Sequence, residues 1–475
     1  MPQEGDALQD VARQTLGGEG AHARPRVGVH GLREIDAAVV RHQARGAGPA
    51  DEAQRLAGRA ETQLHLRTDG DPCDMARKRT RDVGVLAMAA VVAHGLAEEA
   101  GGDADLDLEI RRPPGGRGVG LARVLHQCGI VSDMPTIDAG RLESMATRIF
   151  EGLGAPSADA SWISRLLVLA NLRGHDSHGV IRIPQYAEGV KTGSIDPKSP
   201  ISVVAETPVT ARLDGGRGFG QVVARRGAEM AIAKAKASGL AAVALSRTTH
   251  VGRLADYAEM AAQQGLVGML WVNAVHGLNV APWGGAARRL GTNPHAIGIP
   301  GRSGPAMVLD FATSVVAEGK MRVKRNRKQQ APPGWFIDAE GRPATDPEIF
   351  YGDPVGSLLT AGEHKGFGLS LAVEILGGIL SGTGAAGPGP GLFANGTLIL
   401  CLDVERFIPL ADFHAQVADL FGFVKSAPLA QGSKEILIPG EPEARLEAER
   451  RRDGVPVEDE TWNQIERVAA EVSAR

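Results

Sequence analysis

Ten residues, Arg173-Gly-His-Asp-Ser-His-Gly-Val-Ile-Arg182, gather two imidazoles, a carboxylate, a hydroxyl and two guanidinia. Such a set can move a proton and grip an anion. An imidazole titrates near pH 7, and an arginine presents a planar fork that matches a carboxylate. Polar groups crowded together are costly to bury unless each finds a partner. The segment follows an apolar helical pattern (Trp162, Ile163, Leu166, Leu167, Ala170) and precedes Pro184, so it falls just past a helix. The same residues also suit a solvated helix C-terminus, where His and Arg complement the dipole.

Three further stretches carry groups suited to a polar ligand. Ser246-Arg-Thr-Thr-His250-Val-Gly-Arg253 stands at the start of a predicted helix. There backbone N–H groups and Arg253 could hold phosphate, or Thr248 or Thr249 could cap the helix instead. Gly291-Thr-Asn-Pro294 precedes Leu309-Asp-Phe-Ala-Thr-Ser314, where Asp310 ends a strand and either faces a ligand or caps a helix. Gly362-Glu-His-Lys365-Gly-Phe-Gly368 offers a charge between glycines, or a helix-entry turn with a solvated lysine. A metal site built from His175, Asp176, His178 and His250, serving a lyase or hydrolase, is the weaker reading. Loop histidines three apart do not form a rigid helical pair, and no H-E-x-x-H is present.

The elements that must position these loops can be read from periodicity. Leu142, Met145, Ile149 and Leu153 predict a helix stopped by Gly154, and Ser157 is the expected cap of a second helix to about residue 171. Residues 201–205 and 209–213 read as a hairpin, and a glycine-rich turn leads to a helix over 221–238. Strands over 239–245 and 266–272 flank a helix over 253–264. A strand over 308–311, with a helix beyond Thr313, precedes an extended surface loop over 324–358, rich in Pro, Gly and Asp. A buried helix over 367–380, a strand over 397–402 and helices over 410–421 and 462–472 complete the chain. The order points to a mixed α/β architecture whose near-continuous apolar strands suggest a sheet covered on both faces. No G-x-G-x-x-G follows a strand, so an ordinary Rossmann domain is not supported.

Length and composition set bounds. A chain of 475 residues has room for two to four domains. A formal net charge of -4 favours neither nucleic acid nor an anionic membrane as partner. No apolar run reaches the ~20 residues of a spanning helix, and no signal peptide is evident. Cys73, Cys128 and Cys401 are scattered and odd in number, which fits a reducing cytoplasm better than a disulfide framework. Residues 1–133 differ from the rest. None of the chain's 19 aromatics (11 Phe, 5 Trp, 3 Tyr) lies before Phe150 and no Asn lies before Asn171, although 83–96 is apolar enough for a helix. Little surface can be buried there against the entropy of ordering. The segment is expected to be a disordered or non-native extension, with a misplaced start codon ahead of Met134.

Taken together, seven blocks resemble the malate/L-lactate dehydrogenase family, the non-Rossmann type that includes ureidoglycolate and sulfolactate dehydrogenases. They are Leu172-Arg-Gly-His-Asp-Ser-His-Gly179, Thr249-His-Val-Gly252, Ala281-Pro-Trp-Gly-Gly285, Gly291-Thr-Asn-Pro294, Leu309-Asp-Phe-Ala-Thr-Ser314, His364-Lys-Gly-Phe-Gly-Leu369 and Pro439-Gly-Glu441. The resemblance covers 134–475, with 214–315 expected to supply most of the cofactor-binding part. It implies a family-specific, non-Rossmann NAD(P)-binding α/β fold with helices packed around a central sheet. It also implies a homodimer and hydride transfer between NAD or NADP and a small 2-hydroxy or 2-oxo acid. Some relatives reduce cyclic imino acids instead. By the same resemblance His178 is the proton donor, Ser177 joins its relay, Arg182 grips the substrate carboxylate, and His250 is a second acid/base candidate. Cofactor contacts are implied for His250, Val251, Gly252, Arg253, Leu254, Val308, Leu309, Asp310, His364, Lys365, Gly440 and Glu441. The basic run over 324–330 departs from the family pattern and suits either a 2′-phosphate or solvent, so NAD and NADP stay open. A chain beginning at Met134 is expected to fold and keep full activity; insolubility of that shortened chain beside an active full-length one would make residues 1–133 part of the fold.

Overall fold

The computed structural model describes residues 136–388 and 391–474; the expectations for 1–133, including a helix over 83–96, lie outside the described residues. The first helical pattern forms α1 (Ala139–Gly152), with Asp138 capping it through Arg141 N at 2.8 Å. Gly154 ends it in the left-handed region (φ 95°), as a C-terminal glycine should. α2 (Ser157–Leu172) begins one residue earlier than expected. Pro156, not Ser157, holds the cap position, and no side chain bonds the open N–H groups. The helices α3 (Ile183–Lys191), α4 (Gly220–Ser238), α5 (Ala255–Ala262), α6 (Glu318–Asn326), α7 (His364–Val373), α8 (Leu410–Lys425), α9 (Glu441–Asp453) and α10 (Asp459–Ser473) follow.

Seven strands make the central sheet: β2 (Ser202–Glu206), β3 (Thr210–Asp214), β4 (Leu240–Ser246), β5 (Leu266–Val272), β6 (His295–Gly301), β7 (Gly304–Phe311) and β11 (Thr397–Asp403). Their order is β2-β3-β4-β11-β5-β6-β7. Only β3 and β4 run parallel; every other neighbouring pair is antiparallel. The fold is therefore mixed α/β, as the sequence indicated. β6 was not anticipated. Its glycines and Pro300 hide the strand signal, and pairing with β5 and β7 supplies what propensity lacks. Two-residue strands β1 (Thr136–Ile137) and β12 (Val455–Pro456) pair antiparallel.

Two hydrophobic clusters support the site. One joins α1, α2, α3 and α10, and within it the rings of Phe150, Tyr186 and Phe219 meet at centroid distances of 5.6 to 6.2 Å. The other packs α4 and α5 on one face of the sheet through Leu213, Val243, Leu245, Leu270 and Ile399. Each such side chain contributes roughly 1.5–3 kcal/mol by burial. The opposite face is only partly covered, since Val267, Met269 and Trp271 are half-buried. Antiparallel pairing permits that asymmetry, so the expectation of a sheet covered on both faces is corrected.

Two further expectations change. Residues 324–358 are not an extended surface loop. They hold the end of α6, strands β8 (Phe336–Ile337), β9 (Pro343–Ala344) and β10 (Ser357–Leu358), and a short helix Pro347–Tyr351. Phe336, Phe350 and Leu358 form a separate small core there with Val280 and Met321. Turn-rich composition concealed elements too short to show periodicity. The predicted buried helix over 367–380 is α7 continued by a π-helical turn, Glu374–Ile379. Its Leu371, Ile375, Ile379 and Leu380 are exposed, so it lines the core on one side only. Among the described residues, no helix is long and apolar enough to cross a membrane.

Candidate active site

α2 delivers the chain into two short 3-10 turns, Asp176–His178 and Val180–Arg182, before α3 begins. Buried Asn171, at the end of α2, ties this loop down. Its Nδ2 donates to Asp176 Oδ1 at 2.7 Å, and its Oδ1 accepts from Val180 N at 2.8 Å. Arg450 on α9 donates to both oxygens of Asp176, at 2.7 and 3.2 Å. Asp176 is therefore a structural anchor. The His175 ring lies 3.6 Å from Glu443, but burial and then the Arg253 charge hold its pKa near 4, so no ion pair forms at neutral pH.

His178 Nδ1 lies 3.1 Å from Ser177 Oγ, and its ring stacks on His250 with centroids 5.6 Å apart and planes at 26°. Burial, then the neighbouring Arg182 charge, lowers the His178 pKa to about 3. The same two causes, in the same order, put His250 well below the usual histidine value. Behind His250, Gln221 Nε2 donates to Tyr186 Oη at 2.7 Å, and that hydroxyl lies 2.7 Å from His250 Nδ1. Burial pushes the Tyr186 phenol up to about 12. Arg182 donates Nε to Ser177 O and Nη1 to Gln185 Oε1, each at 2.7 Å.

A cavity of about 970 Å³ opens beside this loop. It reaches His175, Ser177 and His178 from the α2 side, Gly252, Arg253 and Leu254 from the loop after β4, and Asp310 from β7. Arg182 and His250 stand immediately behind Ser177 and His178 rather than on the wall. Arg253 is buried, and its guanidinium is held by Asp256 (2.6 Å) and Glu259 (3.1 Å). The N-terminus of α5, suggested above for phosphate, is instead capped by Asp310, whose Oδ2 accepts from Ala255 N at 2.8 Å. Burial pushes that carboxyl up to about 6. Thr249 caps a different helix, accepting from Gly220 N at 3.0 Å at the start of α4.

Val308 and Leu309 lie on edge strand β7, where Val308 N donates to Pro439 O at 3.0 Å, so Gly440 and Glu441 adjoin them. Val251 is buried behind the cavity wall. His364 and Lys365 are exposed at the start of α7, His364 edge-on to Trp283 at 5.7 Å, and neither lines the cavity. The proposed metal ligands do not converge: Asp176 belongs to Arg450 and His175 faces Glu443. Among the described residues no group of three or more His, Cys, Asp or Glu could hold a metal ion.

Asn171, Tyr186, Gln221 and Arg450 were not singled out from sequence. Tyr186 had a usable signal, one helical turn beyond Arg182. The others had none, because each acts across a distance in the chain. Gly319 was also missed. A Cβ there would lie 2.4 Å from Ser177 Cβ, so α6 can pack on the histidine loop only with glycine at this point.

A paired serine and histidine, a second stacked imidazole and an arginine stand beside a large cavity, a set of groups that can carry a proton and meet an anion. The malate/L-lactate dehydrogenase family matches residues 137–466, and the chain belongs to it. Hydroxycarboxylate dehydrogenase B of Escherichia coli K12 is 37% identical over 333 residues, 69% of this chain and 92% of that protein. L-sulfolactate dehydrogenase of Methanocaldococcus jannaschii is 37% identical over 330 residues, 68% and 93% of the two chains. The structure of malate dehydrogenase from Pyrococcus horikoshii OT3 superposes with a TM-score of 0.66 at 33% identity, covering 72% of this chain and 97% of that one. The chain is an oxidoreductase acting on hydroxy acids, and the resemblance read from its motifs is correct. Replacing Gly319 with Val is expected to push Ser177 aside and lower turnover ~10²-fold, the scale of a misplacement of about 1 Å. Thermal unfolding and steady-state kinetics test this; wild-type turnover in the folded variant would mean that α6 does not hold Ser177.

Proposed function

We propose that this chain transfers hydride between NAD or NADP and a small 2-hydroxy acid, with His178 as acid/base, Ser177 as its partner and Arg182 as the carboxylate anchor. The observation that carries this reading is the His178–His250 stack beside a cavity shared with the loops after β4 and β7. A volume of about 970 Å³ suits a dinucleotide, and the wall is mixed as such a ligand requires, with Leu254, Val316 and Trp335 beside Ser177, His178 and Asp310. Gly252, Arg253, Leu254 and Asp310 would line that ligand. Val251, Val308, Leu309, Gly440 and Glu441 would support it from behind, and His364 and Lys365 from the exposed start of α7. These contacts span more of the chain than 214–315 alone.

A bound nicotinamide supplies or accepts the hydride at the substrate carbon. His178 does the proton work. Its Nδ1 is engaged by Ser177, which leaves Nε2 for the substrate oxygen. Held neutral by burial and by Arg182, the imidazole is ready to take the hydroxyl proton during oxidation. In the reducing direction, an anionic oxo acid beside it raises its pKa and lets it carry the proton that the developing alkoxide needs. Arg182 has its Nη1–Nη2 edge to offer a carboxylate once the exposed Gln185 side chain gives way. His250, stacked on His178 and held well below the usual histidine value by burial, is the second acid/base candidate.

The same reading includes a homodimer and a cytoplasmic location. Exposed Leu371, Ile375, Ile379, Leu420 and Phe423 support self-association, since scattered apolar residues are ordinary but a run of them along α7, its π-helical continuation and α8 is not. Light scattering at working concentration should return twice the chain mass; a monomer mass overturns that part alone.

A panel of 2-oxo acids with NADH and with NADPH tests the activity. His178→Ala should lower kcat ~10²–10⁴-fold. Arg182→Lys should raise KM for the oxo acid, because a lysine cannot reproduce the bidentate fork. Neither change should alter cofactor affinity measured by titration. Normal turnover in His178→Ala together with a dead His250→Ala would transfer the acid/base role to His250.

A further inference from the structure

A second polar cluster lies at the end of β5, away from the histidine loop. Glu374, the first residue of the π-helical turn, is buried, and its carboxylate meets three N–H donors. Oε1 accepts from Asn293 Nδ2 at 2.8 Å, and Oε2 accepts from Asn273 Nδ2 and from Ala386 N, each at 3.0 Å. These partners are all neutral. A carboxylate is costly to bury against neutral groups alone, and an amide of the same shape would cost less. Only a carboxylate, however, accepts at both ends and so satisfies three donors at once. The contact is also closely built. A Cβ on Gly378 would lie 2.2 Å from Asn273 Nδ2, and one on Gly396 would lie 2.5 Å from Gly377 O.

Two branches lead from this carboxylate to the cavity. Asn293, fully buried and left-handed at φ 39°, also donates Nδ2 to Ser370 Oγ at 2.9 Å. Its neighbours Thr292 and Pro294 line the cavity, and Thr292 O accepts from Thr313 N at 2.9 Å. Along the other branch, Asn273 Oδ1 accepts from Gly396 N at 3.0 Å, and Asn273 O accepts from Asn395 Nδ2 at 2.8 Å. Asn395 Oδ1 in turn accepts from Val251 N at 3.1 Å. Val251 stands between His250, which stacks on His178, and Gly252, which lines the cavity.

We infer that Glu374 is a positioning residue of the active site. Its carboxylate fixes the Gly291–Pro294 turn directly and the His250–Gly252 backbone through Asn273 and Asn395, holding two cavity walls in one register. The kinetic consequence rests on the dehydrogenase reading above; the structural coupling does not.

The test compares four forms of the full chain, each well below its own unfolding midpoint: wild type, Glu374→Gln, Glu374→Gln combined with Asn293→Asp, and Ser370→Ala. In Glu374→Gln an amide N–H must face one of the three donors. The paired change swaps acceptor and amide across the same contact and satisfies every group again, and aspartate tolerates the left-handed backbone. Hydrogen exchange of Glu374→Gln should quicken at 248–254 and 291–294 and stay unchanged in α1. Nicotinamide cofactor affinity by titration should fall ~10-fold, the scale of one lost hydrogen bond, and kcat ~10–10²-fold, the scale of a small misplacement. The paired variant should recover most of each loss. Ser370→Ala, which removes one acceptor of Asn293, should loosen 291–294 and leave 248–254 as in wild type, and this arm decides if neither Glu374 variant folds. A lowered unfolding temperature with wild-type exchange in both loops, wild-type affinity and wild-type kcat would make Glu374 a stability residue only and overturn the inference. So would a paired variant that folds but is no better than the single one, or a Ser370→Ala chain whose 291–294 exchange is unchanged. A wild type inactive on every 2-oxo acid would remove the dehydrogenase reading and leave the exchange result to judge the coupling.

Discussion

The carboxylate of Asp176 is the constraint on which the site depends. Ten residues of irregular backbone between α2 and α3 must hold Ser177, His178 and Arg182 in one arrangement, and irregular backbone has no ladder of its own to keep it there. Asp176 receives Asn171 from the helix before and Arg450 from α9, 274 residues on, each at 2.7 Å. Part-buried, charge-assisted bonds of this kind are short and directional. Asn171 then holds Val180 N with its other amide atom, so one side chain braces both turns. The loop is thereby fixed to two helices that belong to different ends of the chain.

Behind the loop, a second set of charges is settled internally. Glu259 is shared by Arg173 and Arg253, while Glu447 and Asp256 complete the balance. Burying an unmatched charge would be strongly destabilising, and this arrangement leaves none of these arginines unmatched. Its consequence for chemistry is indirect. Burial first, and then the charges of Arg253 and Arg182, keep His175 and His178 neutral, yet Arg173 and Arg253 are held by carboxylates and are not free to draw an anion into the cavity.

Much of this was legible in the chain. Periodicity located α1, α2, α4, α5, α10 and strands β3, β4, β5 and β11, because each buries one repeating face. It failed for β6 and for 324–358, where glycine, proline and elements of two residues leave no period to count, and where Phe336 and Phe350 find each other only after the chain folds back. It overstated the burial of 367–380, since an apolar run says that residues avoid water without saying what covers them.

The site divides in the same way. Ser177, His178 and Arg182 lie within six residues, so their types and spacing were enough to suggest proton transfer and anion binding, while the family was read from seven blocks spread along the chain; local sequence determines local composition. Tertiary structure decided what each group does with its charge. His250 meets His178 across 72 residues of chain, Tyr186 and Gln221 hold its ring from behind, Arg450 makes Asp176 an anchor rather than a metal ligand, and Asp310 takes the N–H of α5 that sequence had offered to phosphate. Protonation and hydrogen bonding depend on distance and burial, and a linear order of residues carries neither.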